Sequence, residues 1–163
     1  MDQQTTSVIA ELPHPYQPAF LRQHCRDILA FYDDRVIDPA GGFFQNFLDH
    51  GAVVNPGFRH LVSSTRIIVN YARASVVLEQ PRYRDYVLHG LAYLEQVHWQ
   101  AATQTYAWTI QDHQPLDLTQ QAYGYAFVLL AYASVHRAGI ADCTAKLAET
   151  FGLLEQRFWQ PQF

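Results

Sequence analysis

Cysteine is scarce in this sequence. Cys25 and Cys143 are the only two in 163 residues, and both fall in segments with helical patterning. Two distant cysteines favour reduced, buried thiols over a disulfide framework. The first 18 residues lack both the basic region and the long apolar run of a secretory signal. We therefore expect a cytoplasmic protein.

Positive charge and long apolar runs are also lacking. The formal net charge is −4 with an isoelectric point near 6.0, which gives no electrostatic footprint for nucleic acid or an anionic membrane. The longest charge-free stretch, 118–135, opens with Thr, Gln and Gln and is too short for a membrane span. No metal-ligand spacing, glycine-rich phosphate loop or nucleophile elbow occurs. We expect neither a nucleic acid nor a membrane partner, and no metal.

Large apolar side chains are abundant, since 49% of the residues are hydrophobic and 16% are charged. Apolar residues recur at spacings of three and four, which indicates helices. Five are predicted, beginning near residues 18, 58, 81, 117 and 141. The connectors 41–56 and 103–115 are punctuated by Gly, Pro and Asn and could hold short hairpins at most. The predicted fold class is all-α.

The predicted helices are of two kinds. Those from 58 and 117 are apolar nearly all round, whereas the others have charged faces, so buried and outer helices should alternate. Residues 94–100, LEQVHWQ, return as LEQRFWQ at 154–160, and 32–38 fits the same frame more loosely. Residues 71–76 are echoed at 130–135. Repeats of about 60 residues predict stacked helical hairpins in an inner and an outer ring, with α/α-toroid architecture.

Three phrases carry a family resemblance: GGFFQNFLDHG from Gly41, LVSSTRIIVNYARA from Leu61 and DLTQQAYGYAFVLLAYA from Asp117. In order and spacing they resemble the N-acylglucosamine 2-epimerase family, and within it the mannose isomerases. The resemblance covers about 18–163, leaving 1–17 as an N-terminal extension. It implies an (α/α)6 barrel, of which 18–163 would form the N-terminal portion, about the first two and a half hairpins.

The resemblance also implies an activity. Members isomerise or epimerise sugars at C2 without a redox cofactor, and a pair of histidines in the later part of the chain transfers the proton. This sequence ends at Phe163 before reaching them, so the catalytic residues are unknown here and we expect the chain alone to be inactive. The expected substrate is a small aldose or N-acylhexosamine, converted by mannose–fructose isomerisation or by 2-epimerisation through an enediolate. We also expect self-association or association with a missing C-terminal half.

Arg66 is the first candidate site residue, because a charge inside an apolar helix is costly unless it is paired or faces a wet cavity. Arg59, Arg66 and Arg73 are seven apart, which predicts one row along a helix face. The alternative is a row of ion pairs to neighbouring helices. The resemblance points to Arg66 as a substrate contact.

The resemblance also makes Tyr123 a sugar contact, although a core tyrosine is an equal alternative. Gly124 beside it would allow close approach of a backbone or a ligand. Tyr125, where the mannose isomerases often have His, and His60, at a helix start, are weaker binding candidates. We expect Arg66 and Tyr123 to face one cavity, with residues 41–44 near its mouth or between hairpins.

The remaining histidines suggest no catalytic role, and His98 occupies a repeat position that Val36 and Phe158 also fill, which indicates packing. Two other classes stay open. An α/α-toroid glycosidase fragment would need paired carboxylates, but its candidates, Asp49, Asp112 and Asp117, are loop or cap residues. A non-catalytic helical-repeat module, carbohydrate-binding or protein-binding, is the other.

Overall fold

A computed structural model describes residues 17–161, so the predicted N-terminal extension lies outside the described residues except for Gln17. Five helices and five short strands make up this part of the chain. The helices are α1 (Pro18–Tyr32), α2 (Leu61–Val77), α3 (Arg82–Tyr93, extended by a π-helical turn, Leu94–His98), α4 (Ala122–Arg137) and α5 (Thr144–Phe158). The strands are β1 (Phe58–His60), β2 (Trp99–Gln100), β3 (Thr105–Tyr106), β4 (Thr109–Gln111) and β5 (Gln114–Asp117).

Local chemistry explains several helix ends. Pro18 occupies the first position of α1, where its missing N–H costs nothing. The His60 side chain caps α2 by accepting a hydrogen bond from the Val62 N–H. After α4, Gly139 takes φ +64°, and the N–H groups of Gly139 and Ile140 bond back to carbonyls of the last turn. That C-cap requires the left-handed conformation that glycine adopts without strain.

Two predicted helix starts were wrong. The helix expected from 58 begins at Leu61, because Phe58–His60 pairs with β4 as an antiparallel strand. The helix expected from Asp117 begins at Ala122, because Asp117 ends β5. Its carboxylate accepts a hydrogen bond from the Thr119 N–H in the loop instead of capping the helix.

The helices form two layers. Helices α2 and α4 pack side by side, α3 packs on α2, and α5 packs on α4. The predicted alternation of inner and outer helices is therefore present. The two copies of the repeated phrase both end outer helices, because the helical run of α3 stops at His98 and that of α5 at Phe158.

The inner helices leave one stripe uncovered. Helix α2 exposes Arg66, Asn70, Arg73 and Val77, and α4 exposes Tyr123, Ala126, Leu130, Ala133 and Arg137. We call these nine residues the open face. Helices α2 and α4 form the inner layer, and their partner helices cover only the side opposite the open face. Within residues 17–161, no helix combines the length and apolarity needed to cross a bilayer.

The connectors hold small sheets beside the helix ends. Strand β4 lies between β1 and β5 in an antiparallel sheet, and β2 pairs with β3. The turn between β4 and β5 places Asp112 and His113 at φ +50° and +62°, as a two-residue hairpin turn requires. This sheet anchors the start of α2 against the connector that leads to α4.

A buried carboxylate ties the end of α1 to both α2 and α3. Asp33 is 4% exposed and accepts hydrogen bonds from the hydroxyls of Tyr71 and Tyr83. Arg82 completes the set with an N–O distance of 2.6 Å. Because a buried charge is costly unless paired, these partners fix where the chain leaves α1.

The glycine-rich turn packs against α3. Gly41 and Gly42 lie against the ring of Tyr93, and Phe43, 1% exposed, fills the core between α2 and α3. A Cβ on Gly90 would come within 2.2 Å of the Phe43 ring and 2.9 Å of Ile68. The segment thus lies between α2 and α3, and Gly90 allows Phe43 to enter.

Replacing Gly90 by alanine should destabilise the protein, although alanine favours helices by up to about 1 kcal/mol. Overpacking against Phe43 should outweigh that gain and lower the free energy of unfolding by about 1–3 kcal/mol. Gly152→Ala is the matched control, because Gly152 lies inside α5 and a Cβ added there would meet nothing within 4 Å. Urea unfolding of both variants checks the prediction. A Gly90→Ala protein as stable as Gly152→Ala would contradict this packing.

Candidate functional site

Arg66 and Tyr123 meet on the open face. The Arg66 Nη2–H donates to the Tyr123 hydroxyl over 2.9 Å, which joins α2 to the first turn of α4. The guanidinium carbon also lies 4.6 Å from the centroid of the Phe127 ring, and the Tyr123 and Phe127 rings contact edge to face at 4.9 Å. The two candidate residues thus form one exposed cluster, with Phe127 as its floor.

This cluster leaves most of the guanidinium available. Arginine has five N–H donors, and the described residues supply a hydrogen-bond acceptor only for Nη2. Tyr123 is 52% exposed, so a ligand can reach the hydroxyl and the guanidinium together. A fixed cation beside a hydroxyl can bind neighbouring sugar oxygens and stabilise negative charge that develops on one of them.

Trp108 supports the cluster from the β3–β4 connector. Its ring packs so closely on Gly124 that a Cβ there would lie 3.0 Å from Cζ3, and its backbone carbonyl accepts from the Leu61 N–H over 2.9 Å. The ring also contacts His60, with centroids 4.5 Å apart. Gly124 therefore admits an aromatic side chain that brings the beginnings of α2 and α4 together.

His60 lies at this same end of the helices. Its ring is half-buried, and burial lowers the pKa of the imidazole below its ordinary value. The ring is therefore neutral at pH 7. His60 was predicted as a weaker binding candidate at a helix start, and the structure puts it beside Trp108, whose ring also packs on the glycine next to Tyr123.

Arg59 does not join the predicted row. It belongs to β1, is 1% exposed, and pairs with Asp38 at 2.5 Å. Its guanidinium also lies 5.1 Å from the centroid of the Phe44 ring. Spacing along a helix does not apply to a residue in a strand, so Arg59 points into the interior while Arg66 and Arg73 are exposed on α2.

Tyr125 does not reach the open face either. It is 1% exposed, and its ring lies between Tyr106 and Phe158 in the core, with centroids 5.6 and 5.5 Å away. Its hydroxyl donates to Gln120 over 2.7 Å. Two residues along a helix turn the side chain by about 200°, so Tyr123 and Tyr125 face opposite ways.

The acidic candidates stay in loops. Asp112 lies in the β4–β5 turn, Asp117 bonds to the loop that follows β5, and Asp49 is exposed. Among residues 17–161, no group of three or more His, Cys, Asp or Glu side chains could hold a metal ion. The described chain therefore offers hydrogen-bond donors at this site more than it offers acids or metal ligands.

A groove continues the open face beyond the cluster. It has a volume of about 460 Å³ and is lined towards the ends of both inner helices by Arg73, Val76, Leu130 and Arg137, among others. Neither Arg66 nor Tyr123 lines it. Arg66 and Tyr123 were expected to face one cavity. They instead share an exposed surface near the starts of α2 and α4, whereas the groove lies towards the ends of these helices.

Comparisons with known proteins identify the family of the chain. Residues 42–163 match the family described as N-acylglucosamine 2-epimerase (GlcNAc 2-epimerase). The chain belongs to this family. A D-mannose isomerase from Marinomonas mediterranea is 42% identical over 141 residues, which are 86% of this chain and 36% of that enzyme.

Solved structures give the fold type. A crystal structure of a D-mannose isomerase superposes with a TM-score of 0.89 at 39% identity, covering 93% of this chain and 39% of the other. Cellobiose 2-epimerase from Spirochaeta thermophila superposes at 0.68 with 26% identity, over 89% of this chain and 38% of its own. The predicted α/α-toroid class is confirmed, and the chain spans less than two fifths of each of these relatives.

Trp108, Phe127 and Gln45 were missed by sequence reasoning as parts of the site. Gln45 bonds to the backbone of His60 through both its amide oxygen and its amide nitrogen. Phe127 follows Tyr123 by four residues, so the i, i+4 spacing was a usable signal. Trp108 and Gln45 lie in connectors without periodic pattern, where no spacing indicates a neighbour.

Proposed function

We propose that this chain forms part of a sugar isomerase or 2-epimerase that moves a proton at C2 of an aldose, with D-mannose to D-fructose as the leading reaction. The observation that carries the proposal is the exposed Arg66–Tyr123 pair, held at the start of both inner helices. It occurs in a chain 42% identical to a D-mannose isomerase. Arg66 and Tyr123 are the proposed substrate contacts, and His60 is a third.

The reaction needs two kinds of group. A base removes the proton from C2 of the open-chain aldose, leaving an enediolate, and hydrogen-bond donors stabilise its oxygens. Returning the proton to C1 gives the ketose, and returning it to the opposite face of C2 gives the epimer. Arg66 and Tyr123 supply donors, and we propose that histidines of the family barrel outside this chain's span transfer the proton.

A chimera tests the proposal. Residues 18–163 would replace the matching segment of the Marinomonas D-mannose isomerase and be incubated with D-mannose in deuterated water. We expect fructose labelled at C1 and, through the reverse reaction, mannose labelled at C2. Labelled glucose without fructose would identify a 2-epimerase instead.

The 163-residue chain alone is run in parallel and is expected to give no label. N-acetylmannosamine and cellobiose are tested as alternative substrates. A chimera that folds like the parent enzyme, by circular dichroism and thermal melting, yet labels none of the three sugars would refute the proposed function.

A further inference from the structure

A continuous relay of hydrogen bonds runs beneath His60 into the core. The His60 backbone N–H donates to Gln45 Oε1 over 2.7 Å, and Gln45 Nε2 donates to Ser64 Oγ over 2.9 Å. Ser64 Oγ lies 3.0 Å from His98 Nε2, and His98 Nδ1 lies 3.0 Å from the Ala107 carbonyl oxygen. The relay thus joins the start of α2 to the end of α3 and the β3–β4 connector.

The donors of the relay can be assigned from one end. A carbonyl oxygen only accepts, so His98 Nδ1 carries the proton that bonds to Ala107. In a neutral ring Nε2 is then the acceptor, and the Ser64 hydroxyl donates to it while accepting from Gln45. His98 is 0% exposed, and burial lowers its pKa to about 4, which keeps the ring neutral.

The His60 ring has a defined tautomer by the same logic. Its Nδ1 accepts from the Val62 N–H over 3.2 Å, so the neutral ring carries its proton on Nε2. The described residues give Nε2 no hydrogen-bond partner. The Trp108 ring contacts the His60 ring, and the hydrogen bond to Gln45 fixes the His60 backbone.

His60 lies at the same end of α2 and α4 as the Arg66–Tyr123 pair, and the Trp108 ring contacts both His60 and Gly124, the residue after Tyr123. Arg66 is six residues after His60, a rise of about 9 Å along α2. Side chains on a helix point back towards its N-terminus, so Arg66 reaches towards the His60 end, where it meets Tyr123.

We propose that His60 is a specificity-determining donor, which binds a hydroxyl oxygen of the sugar through Nε2–H, and that Gln45, Ser64 and His98 are positioning residues for it. The proposal rests on the proposed function in taking a sugar as the ligand. The helix cap and the relay keep the proton of the neutral His60 ring on Nε2, and this tautomer, not the charge of the ring, is the property that matters for sugar binding.

Nitrogen-15 NMR of the 163-residue chain tests the tautomers. We expect the proton on Nε2 in His60 and on Nδ1 in His98. Titration with D-mannose should shift the His60 Nε2–H signal and leave His98 unchanged. A His60 ring protonated on Nδ1, or a His60 signal that saturating mannose does not move, would overturn the inference.

Variants separate binding from stability. His60→Asn keeps a good capping oxygen for α2 but lacks the distant Nε2–H, so the dissociation constant for D-mannose should rise by about 3–10-fold, as for one lost hydrogen bond. Ser64→Ala should raise it as well, by weakening the relay. Thr65→Val is the control, because the buried Thr65 hydroxyl bonds only to carbonyls of its own helix.

Thr65→Val should leave the affinity for D-mannose unchanged, even if it lowers the melting temperature as much as Ser64→Ala does. Equal affinity losses in Ser64→Ala and Thr65→Val would make the relay merely structural. The KM of the chimera for D-mannose repeats the comparison, with kcat expected to change by less than KM. The NMR titration measures binding and needs no turnover. A chimera that exchanges no deuterium would therefore refute the proposed function, whereas the role of His60 is decided by the titration.

Discussion

Replacing Arg66 by alanine in the chimera should lower kcat/KM for D-mannose by about 10²–10³-fold, the effect typical of losing one donor to a developing oxyanion. The loss removes the guanidinium that Tyr123 and Phe127 hold in place. Lysine at the same position should recover little of it, because an ammonium cannot bond to Tyr123 and to neighbouring sugar oxygens in one plane. The initial rate of fructose formation measures the effect.

Arg73→Ala is the matched control. Arg73 lies on the same open face of α2 two turns further along, beside the groove. Arg73→Ala removes one positive charge, as Arg66→Ala does. If Arg66 acts by direct contact with the sugar and not by long-range charge, kcat/KM of Arg73→Ala should stay within about threefold of the parent chimera. Similar losses in both variants would indicate a general electrostatic effect and argue against Arg66 as a substrate contact.

Acid should destabilise the protein through His98. Burial lowers the pKa of the folded-state imidazole to about 4, whereas an unfolded chain has its ordinary value of 6.5. Between these values the unfolded state binds more protons, so the free energy of unfolding decreases as the pH falls from about 6.5 to about 4. The contribution of this group over the whole window is about 3 kcal/mol.

His98→Gln isolates that contribution. The substitution removes the titrating group and leaves the other histidines in place, so only the pH dependence and not the absolute stability is compared. Urea unfolding at pH 7, 6, 5 and 4.5 should give a steeper loss for the wild type than for the variant. Equal slopes would show that His98 is not sealed in a neutral state.

Periodicity was a good guide to the helices and a poor one to their ends. All five helices were predicted, because apolar spacings of three and four reflect burial on one side of each. The starts of α2 and α4 were placed three and five residues early, since Phe58–His60 and Asp117 belong to strands. Strand pairing between distant connectors overrides the local pattern, and a single sequence carries no trace of that pairing.

The candidate site was predictable where chemistry interrupts a pattern. Arg66 inside an apolar run and Tyr123 beside a glycine both drew attention, and the structure brings them together. Arg59 and Tyr125 had similar signals, yet both side chains face the interior. Arg59 faces the interior because it lies in strand β1, and Tyr125 does so because packing between helices decides which side of α4 is covered. The spacing of residues in the sequence shows neither the strand pairing nor the helix packing.

A crystal structure of the chimera bound to D-mannose would test the central claim most directly. We predict sugar oxygens within hydrogen-bond distance, about 2.7–3.2 Å, of both the Arg66 guanidinium and the Tyr123 hydroxyl on the open face. A sugar bound elsewhere, with the Arg66–Tyr123 pair left untouched, would contradict the account.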